Sequence, residues 1–321
     1  MRHFSKRILR LISRRYPDTK RNYVRERRVV DLARRRVFRL GERITDDIVK
    51  APDRDIPVRV FYPGKNGAYP VLVFFHGGGW VTGSLESYEK VCIHMANQTK
   101  SIIVSVGYRL APEHKFPAAP EDCYFVTQYL AENRKKFGIP KDGLTLIGDS
   151  AGGNLAAVVS LMSRDRGGFI PHRQILIYPS VAGTRDPRAF PSFYENGDDY
   201  VLTKKRIADY MDLYENNRRD LENPYLAPLL ARNLSHQPHT LIVTAELDPL
   251  RDEGEAYGRR LREAGNRVEI HRFPDVIHGF LSTGIFPSAV KNLYECVNAF
   301  LYEESRISER SATGEAAYAQ T

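Results

Sequence analysis

Cysteine is scarce in this chain: Cys92, Cys123 and Cys296 are the only three among 321 residues. Their odd number, wide separation and lack of any C-x-x-C pair exclude a disulfide framework and a thiolate metal or redox site. Long hydrophobic runs are missing too. No stretch of 18 apolar residues is present to span a bilayer. Near the N-terminus, Ile8, Leu9, Leu11 and Ile12 are interrupted by Arg10 and followed by Arg14 and Arg15, so no secretory apolar segment forms. The expectation is a cytoplasmic protein without a transmembrane segment. Acidic residues are sparse in one place: residues 1–36 hold 14 Lys or Arg against Asp18, Glu26 and Asp31, a net +11. The overall charge is +9, so the other 285 residues sit near −2 and the basicity belongs to the leader. That leader lacks the aromatic interleaving used for nucleic-acid stacking, so no nucleic-acid partner is expected. It reads as a solvated helical face, compatible with peripheral membrane contact.

What is abundant is apolar patterning, with 42% hydrophobic and 11% aromatic residues. Runs at 56–63, 69–76, 101–109, 143–149, 173–179, 239–245 and 267–273 predict strands, several of them continuous, as strands buried on both faces are. Helical spacing falls between them at roughly 87–99, 119–137, 151–164, 252–264 and 287–304. This alternation predicts a mostly parallel sheet flanked by helices. Residues 1–45 and 183–235 break it and read as parts of a cap, the second containing a helical stretch at 203–216. The core then comprises 46–182 and 236–305, and the tail 306–321 reads as disordered.

The chemistry starts at residues 146–153, Leu-Ile-Gly-Asp-Ser-Ala-Gly-Gly, where Ser150 occupies a G-x-S-x-G pentapeptide between an apolar run and a helical pattern. Such a turn is a nucleophile elbow, and its glycines answer to sterics, because a sharp strand-to-helix turn leaves no room for flanking β-carbons. A serine hydroxyl at neutral pH needs a base within hydrogen-bond reach and a carboxylate to orient that base. In this architecture the chain order is Ser, acid, His. Of nine histidines only His271 and His278 come late enough. His271 falls in a strand pattern, whereas His278 lies in a loop beyond Pro274-Asp275, and it is chosen as base. After the strand 239–245 come Glu246, Asp248, Asp252 and Glu253. Asp248 fits the acid best; Asp252 and Glu253 read as helix-terminus charges, and Glu246 is too close to the strand end. An oxyanion needs preorganised N–H donors. These are sought in His76-Gly77-Gly78-Gly79-Trp80, at the end of a buried strand, and in Ala151 after the nucleophile, with His76 as a structural hydrogen bonder.

Taken together, the HGGG strand end, the GDSAGG elbow, Asp248-Pro249-Leu250-Arg251-Asp252-Glu253-Gly254 and His278-Gly279-Phe280 resemble the hormone-sensitive-lipase-like branch of α/β-hydrolase carboxylesterases. Gly107-Tyr108-Arg109-Leu110-Ala111-Pro112-Glu113 and Phe116-Pro117-Ala118-Ala119 add to the resemblance, which covers about residues 45–300. It implies an α/β-hydrolase fold with a helical cap, and Ser150, Asp248 and His278 as triad. It also implies Gly78, Gly79 and Ala151 as oxyanion donors, with Gly77 shaping the turn. Short- to medium-chain acyl esters are the implied small-molecule substrates, without cofactor or metal, for a monomer or homodimer. Where relatives often carry Ser-Pro pairs, this chain has Asn223-Pro224 and Ala227-Pro228-Leu229. Two other readings keep the fold: an amide-cleaving deacetylase or peptidase, and a non-catalytic ligand-binding receptor. Peptide cleavage would need acids at the pocket to hold a substrate amine; Glu195, Asp198 and Asp199 lie in the cap but read as a solvated acidic loop, and a receptor would be expected to lose the base. Phe190, Phe193, Tyr194 and Tyr200 are the aromatic residues of the cap, available either to line a pocket or to pack the cap on the body.

Overall fold

A computed structural model describes residues 18–34, 43–64, 69–140, 143–183 and 190–303. Most of the basic leader and the tail 306–321 lie outside these residues. Eight strands form one sheet in the order β1-β2-β4-β3-β5-β6-β7-β8. They span Ile44–Lys50, Asp55–Phe61, Val71–Phe75, Ile102–Val106, Leu144–Asp149, Arg173–Ile177, His239–Leu247 and Val268–Ile277. β1 and β2 run antiparallel to their neighbours, and the remaining pairs from β4 through β8 are parallel.

The central strands follow from composition. β3 reads Val-Leu-Val-Phe-Phe and is buried at every residue, and β5 and β6 are likewise buried throughout. Branched and aromatic side chains suit a sheet covered on both faces. The covering helices are α2 (Glu89–Thr99), α3 (Ala118–Glu132), α4 (Ala151–Asp165), α7 (Arg251–Glu263) and α9 (Pro287–Leu301). Side chains of α2 and α9 such as Met95, Leu293 and Val297 build one core with Leu72, Phe74 and Ile147. Those of α3, α4 and α7 such as Val126, Leu155 and Leu261 build the other with Val73 and Leu146.

The strands read from the sequence begin at residue 56, and β1 at 44–50 precedes them. β1, Ile-Thr-Asp-Asp-Ile-Val-Lys, has no apolar run because it is the exposed edge of the sheet, and edge strands carry charge. Asp46 sits opposite Arg59 of β2 and accepts its Nε at 2.5 Å.

Helices α1 (Thr19–Arg34) and α6 (Lys204–Tyr214) pack on each other. Lys20 pairs with Asp212 at 2.5 Å, Lys205 with Asp18 at 3.2 Å, and Arg206 with Glu26. Arg27 ties α1 to the body: it donates to the carbonyls of Val81 (2.5 Å) and Ala111 (2.6 Å) and grips both oxygens of Glu113 at 2.9 and 2.7 Å. The Arg27 bond holds the Glu113 carboxyl below its ordinary range. Short helices α5 (Pro191–Asn196) and α8 (Phe280–Thr283) and two 3₁₀ turns at Arg218–Glu222 and Pro228–Leu230 are also present among the described residues. No helix among the described residues is long and apolar enough to cross a membrane.

Candidate active site

The turn from β5 into α4 places Ser150 at φ 57°, ψ −118°, a region that side-chain-bearing residues rarely occupy and that marks functional strain. The turn is held by Ser150 N–H donating to Ile177 O at 2.9 Å and by Asn154 N–H donating to Ser150 O at 3.0 Å. Its glycines are there for close approach. A β-carbon on Gly148 would lie 2.2 Å from Gly152 O, and one on Gly152 would lie 1.9 Å from Phe75 O. The elbow is thus pressed against the end of β3.

Ser150 Oγ lies 2.8 Å from His278 Nε2, and His278 Nδ1 lies 2.7 Å from Asp248 Oδ2. A carboxylate only accepts, so Nδ1 carries the proton and Nε2 faces the serine hydroxyl as acceptor. Asp248 is fully buried, and its Oδ1 accepts Leu250 N–H at 2.8 Å. A register shift between Ala245 and Leu247 bends the end of β7 just before Asp248. His278 follows β8 directly, and the Tyr178 ring lies 4.9 Å from its imidazole, centroid to centroid.

Gly77, Gly78 and Gly79 line the same cavity as Ser150, Ala151 and His278. Gly77 N–H is already used, donating to Asp149 Oδ1 at 2.8 Å. Gly78 (φ +125°) and Gly79 (φ +62°) lie in left-handed backbone, and a β-carbon on Gly79 would sit 2.4 Å from the Tyr210 ring. Ala151 opens α4, where N–H groups have no intrahelical partner. His76 is buried and stacked on Tyr108 at 4.3 Å, its Nδ1 2.9 Å from Gly77 O. It does not line the cavity.

The other acids go elsewhere. Glu246 accepts Asp275 N–H at 2.7 Å, and Asp252 accepts Ser192 N–H at 2.7 Å. Glu253 sits in the first turn of α7, as read, but its carboxyl also reaches beyond the helix end. It is buried, and its Oε1 accepts the N–H groups of Val181 (2.7 Å) and Ala182 (3.2 Å), next to the cavity residue Ser180. Burial pushes its carboxyl up to about 7, and the Asp248 charge adds to the rise.

The cavity holds about 150 Å³, the size of a void that takes up a benzene-sized group. Its roof is α6 with part of α1: Val30, Leu202, Ile207, Tyr210 and Met211 line it, along with Glu26 and Arg206. The aromatic candidates Phe190, Phe193, Tyr194 and Tyr200 do not. Phe190 and Phe193 pack against the core, and Tyr194 is exposed. Glu195 pairs with Arg251 at 2.9 Å and Asp198 with Lys204 at 2.6 Å; neither they nor Asp199 line the cavity.

Reading the sequence missed Asp149. Buried at the end of β5, it accepts from Gly77 N–H, from Tyr88 OH at 3.0 Å and from Tyr178 OH at 3.3 Å. It locks the glycine turn to the elbow. A carboxylate closing an otherwise apolar strand was the available signal. Among the described residues one trio has the spacing to hold a metal ion, His239, Glu269 and Glu303. It lies at the opposite end of β7 from Asp248, and Glu303 pairs there with Arg267 at 2.5 Å.

This sheet order, elbow and cavity define an α/β hydrolase. A family profile described as alpha/beta hydrolase fold matches residues 72–282. The chain is 40% identical over 245 residues to carboxylic ester hydrolase LipN of Mycobacterium tuberculosis, covering 74% of this chain and 64% of LipN. It is 38% identical to esterase LipI of the same organism, over 78% of each chain. Among solved structures, a Pyrobaculum calidifontis esterase superposes with a TM-score of 0.84 at 35% identity, over 93% of this chain and 98% of the other. The chain belongs to the α/β-hydrolase family, in its hormone-sensitive-lipase-like esterase branch.

Proposed function

We propose that this protein is a serine carboxylesterase that hydrolyses short- to medium-chain acyl esters through an acyl-enzyme. The observation that carries the reading is the continuous relay from Ser150 Oγ through His278 to buried Asp248, 2.8 and 2.7 Å long, on a strained elbow. His278 Nε2 takes the Ser150 proton as Oγ attacks the ester carbonyl, and Asp248 fixes the tautomer and balances the imidazolium. The amides of Gly78, Gly79 and Ala151 receive the oxyanion. His278 then protonates the departing alkoxide, and water repeats the sequence to free the acid. A cavity of about 150 Å³ suits small acyl groups. The names of the relatives, carboxylic ester hydrolase and esterase, point the same way.

Cytoplasmic residence is part of this proposal, supported by three free cysteines, as a reducing compartment keeps them. Hydrolysis of p-nitrophenyl esters of increasing acyl length tests the function. Turnover that disappears in Ser150→Ala is expected, with an optimum at short chains. Turnover that survives in Ser150→Ala overturns the assigned nucleophile, and folded wild-type protein inert toward every ester overturns the esterase reading.

A further inference from the structure

Helix α1 turns one face into the body and the other to solvent, and the two faces differ in charge. Between Thr19 and Arg34 the acids are Glu26 and Asp31. Both point inward: Glu26 accepts from Arg206 and, at 2.9 Å, from Tyr210 OH, and Asp31 accepts from Ser84 OH at 2.7 Å. The outward face carries exposed Arg21, Arg25 and Arg28 together with Val24, Val29 and Leu32, which are 45, 57 and 78% exposed. Successive members lie three or four residues apart or side by side, so they share one stripe along the helix. Arg27, bonded to Val81, Ala111 and Glu113 on the other side, keeps that stripe turned outward.

Single exposed apolar side chains are ordinary, but here three are interleaved with arginines on a helix that also lines the cavity through Glu26 and Val30. The charge selects the partner. A second copy of this face would bring like charges together, and so would residues 1–17, which hold six Lys or Arg and no acid. A nucleic acid would pair with the arginines but has no use for the valines and the leucine, and the stripe holds no aromatic ring to stack on bases. An anionic lipid surface satisfies both kinds of side chain. Its headgroups attract the guanidinium groups, and the apolar side chains enter the boundary of the acyl chains beneath them.

We propose that the outward face of α1 is a docking surface for anionic lipid bilayers, on which the protein lies with this helix parallel to the membrane plane. The inner face of the same helix lines the cavity. Docking therefore sets the cavity one helix diameter, about 10 Å, from the lipid boundary. The binding itself does not depend on the esterase reading.

Flotation of the full chain with vesicles of phosphatidylcholine, with and without phosphatidylserine, measures the partition. Binding to the anionic vesicles and not to phosphatidylcholine alone is expected. Because residues 1–17 are basic as well, two variants isolate the helix. Arg21→Gln/Arg25→Gln/Arg28→Gln should lower the partition coefficient by about fivefold per arginine, and Val24→Ser/Val29→Ser/Leu32→Ser by about tenfold. In Leu32→Trp the added indole should shift its emission to the blue on anionic vesicles, while Trp80, buried in the body, keeps its own. The substituted side chains are exposed, so thermal unfolding of each variant should match the wild type, which separates lost binding from lost folding. Sedimentation velocity checks the other occupant. No binding to anionic vesicles, or binding that either triple variant retains in full, overturns the inference. A solution dimer that the serine variant disperses also overturns it and gives the face to a second copy.

Discussion

Replacing Glu253 by Gln should stabilise the protein at alkaline pH and remove part of its pH dependence. In the unfolded chain this carboxyl titrates near 4.5, and burial lifts it to about 7 in the fold. The folded protein therefore holds the proton more tightly than the unfolded chain does. Its contribution to stability is complete below pH 4.5 and is lost as pH rises toward 7, at about 1.4 kcal/mol per pH unit, or about 3 kcal/mol in all. Glutamine keeps an oxygen for the amides of Val181 and Ala182 and never ionises. Urea unfolding of both proteins at pH 5, 6, 7 and 8 gives the difference directly. Near-equal stability is expected at pH 5, with the variant about 3 kcal/mol more stable at pH 8. Parallel curves across the series, or a variant less stable at pH 8, would refute the reasoning and show that Glu253 stays ionised without penalty.

Asp248→Asn presents His278 in the wrong tautomer, and kcat on a p-nitrophenyl ester should fall by about 10⁴ with the fold intact by circular dichroism. Gly79→Ala forces a β-carbon to within 2.4 Å of Tyr210 at φ +62°. It should lower kcat by about 10² and cost about 1–2 kcal/mol in urea unfolding. Arg27→Ala removes the bonds that fasten α1 to Val81, Ala111 and Glu113. Amide exchange across residues 19–34 should accelerate, and KM should rise more than kcat falls.

Where a segment's chemistry is local, its role is readable from the chain alone. The buried strands β3, β5 and β6 show themselves as apolar runs because both of their faces meet helices. The elbow is legible because only glycine tolerates the approach of Gly148 to Gly152 and of Gly152 to Phe75. The order Ser150, Asp248, His278 leaves few candidates for each partner. β1 was not legible, since an exposed edge strand carries Asp46 and Asp47 instead of an apolar pattern. Glu253 looks in sequence like any other acid, and only folding buries it against the backbone amides of Val181 and Ala182, distant in the chain.

The pocket divides in the same way. The sequence by itself determined the proposed nucleophile, its proposed partners and the glycine turn, because these depend on short-range backbone sterics and on fixed strand order. The segments 1–45 and 183–235 were read as a cap from the chain; only the tertiary structure decided which of their side chains line the cavity, those of Lys204–Tyr214 and Glu26, 184 residues before Tyr210, rather than the aromatic residues of 190–200. That choice depends on how two helices far apart in the chain pair with each other, and long-range pairing leaves no mark on the local pattern of either one.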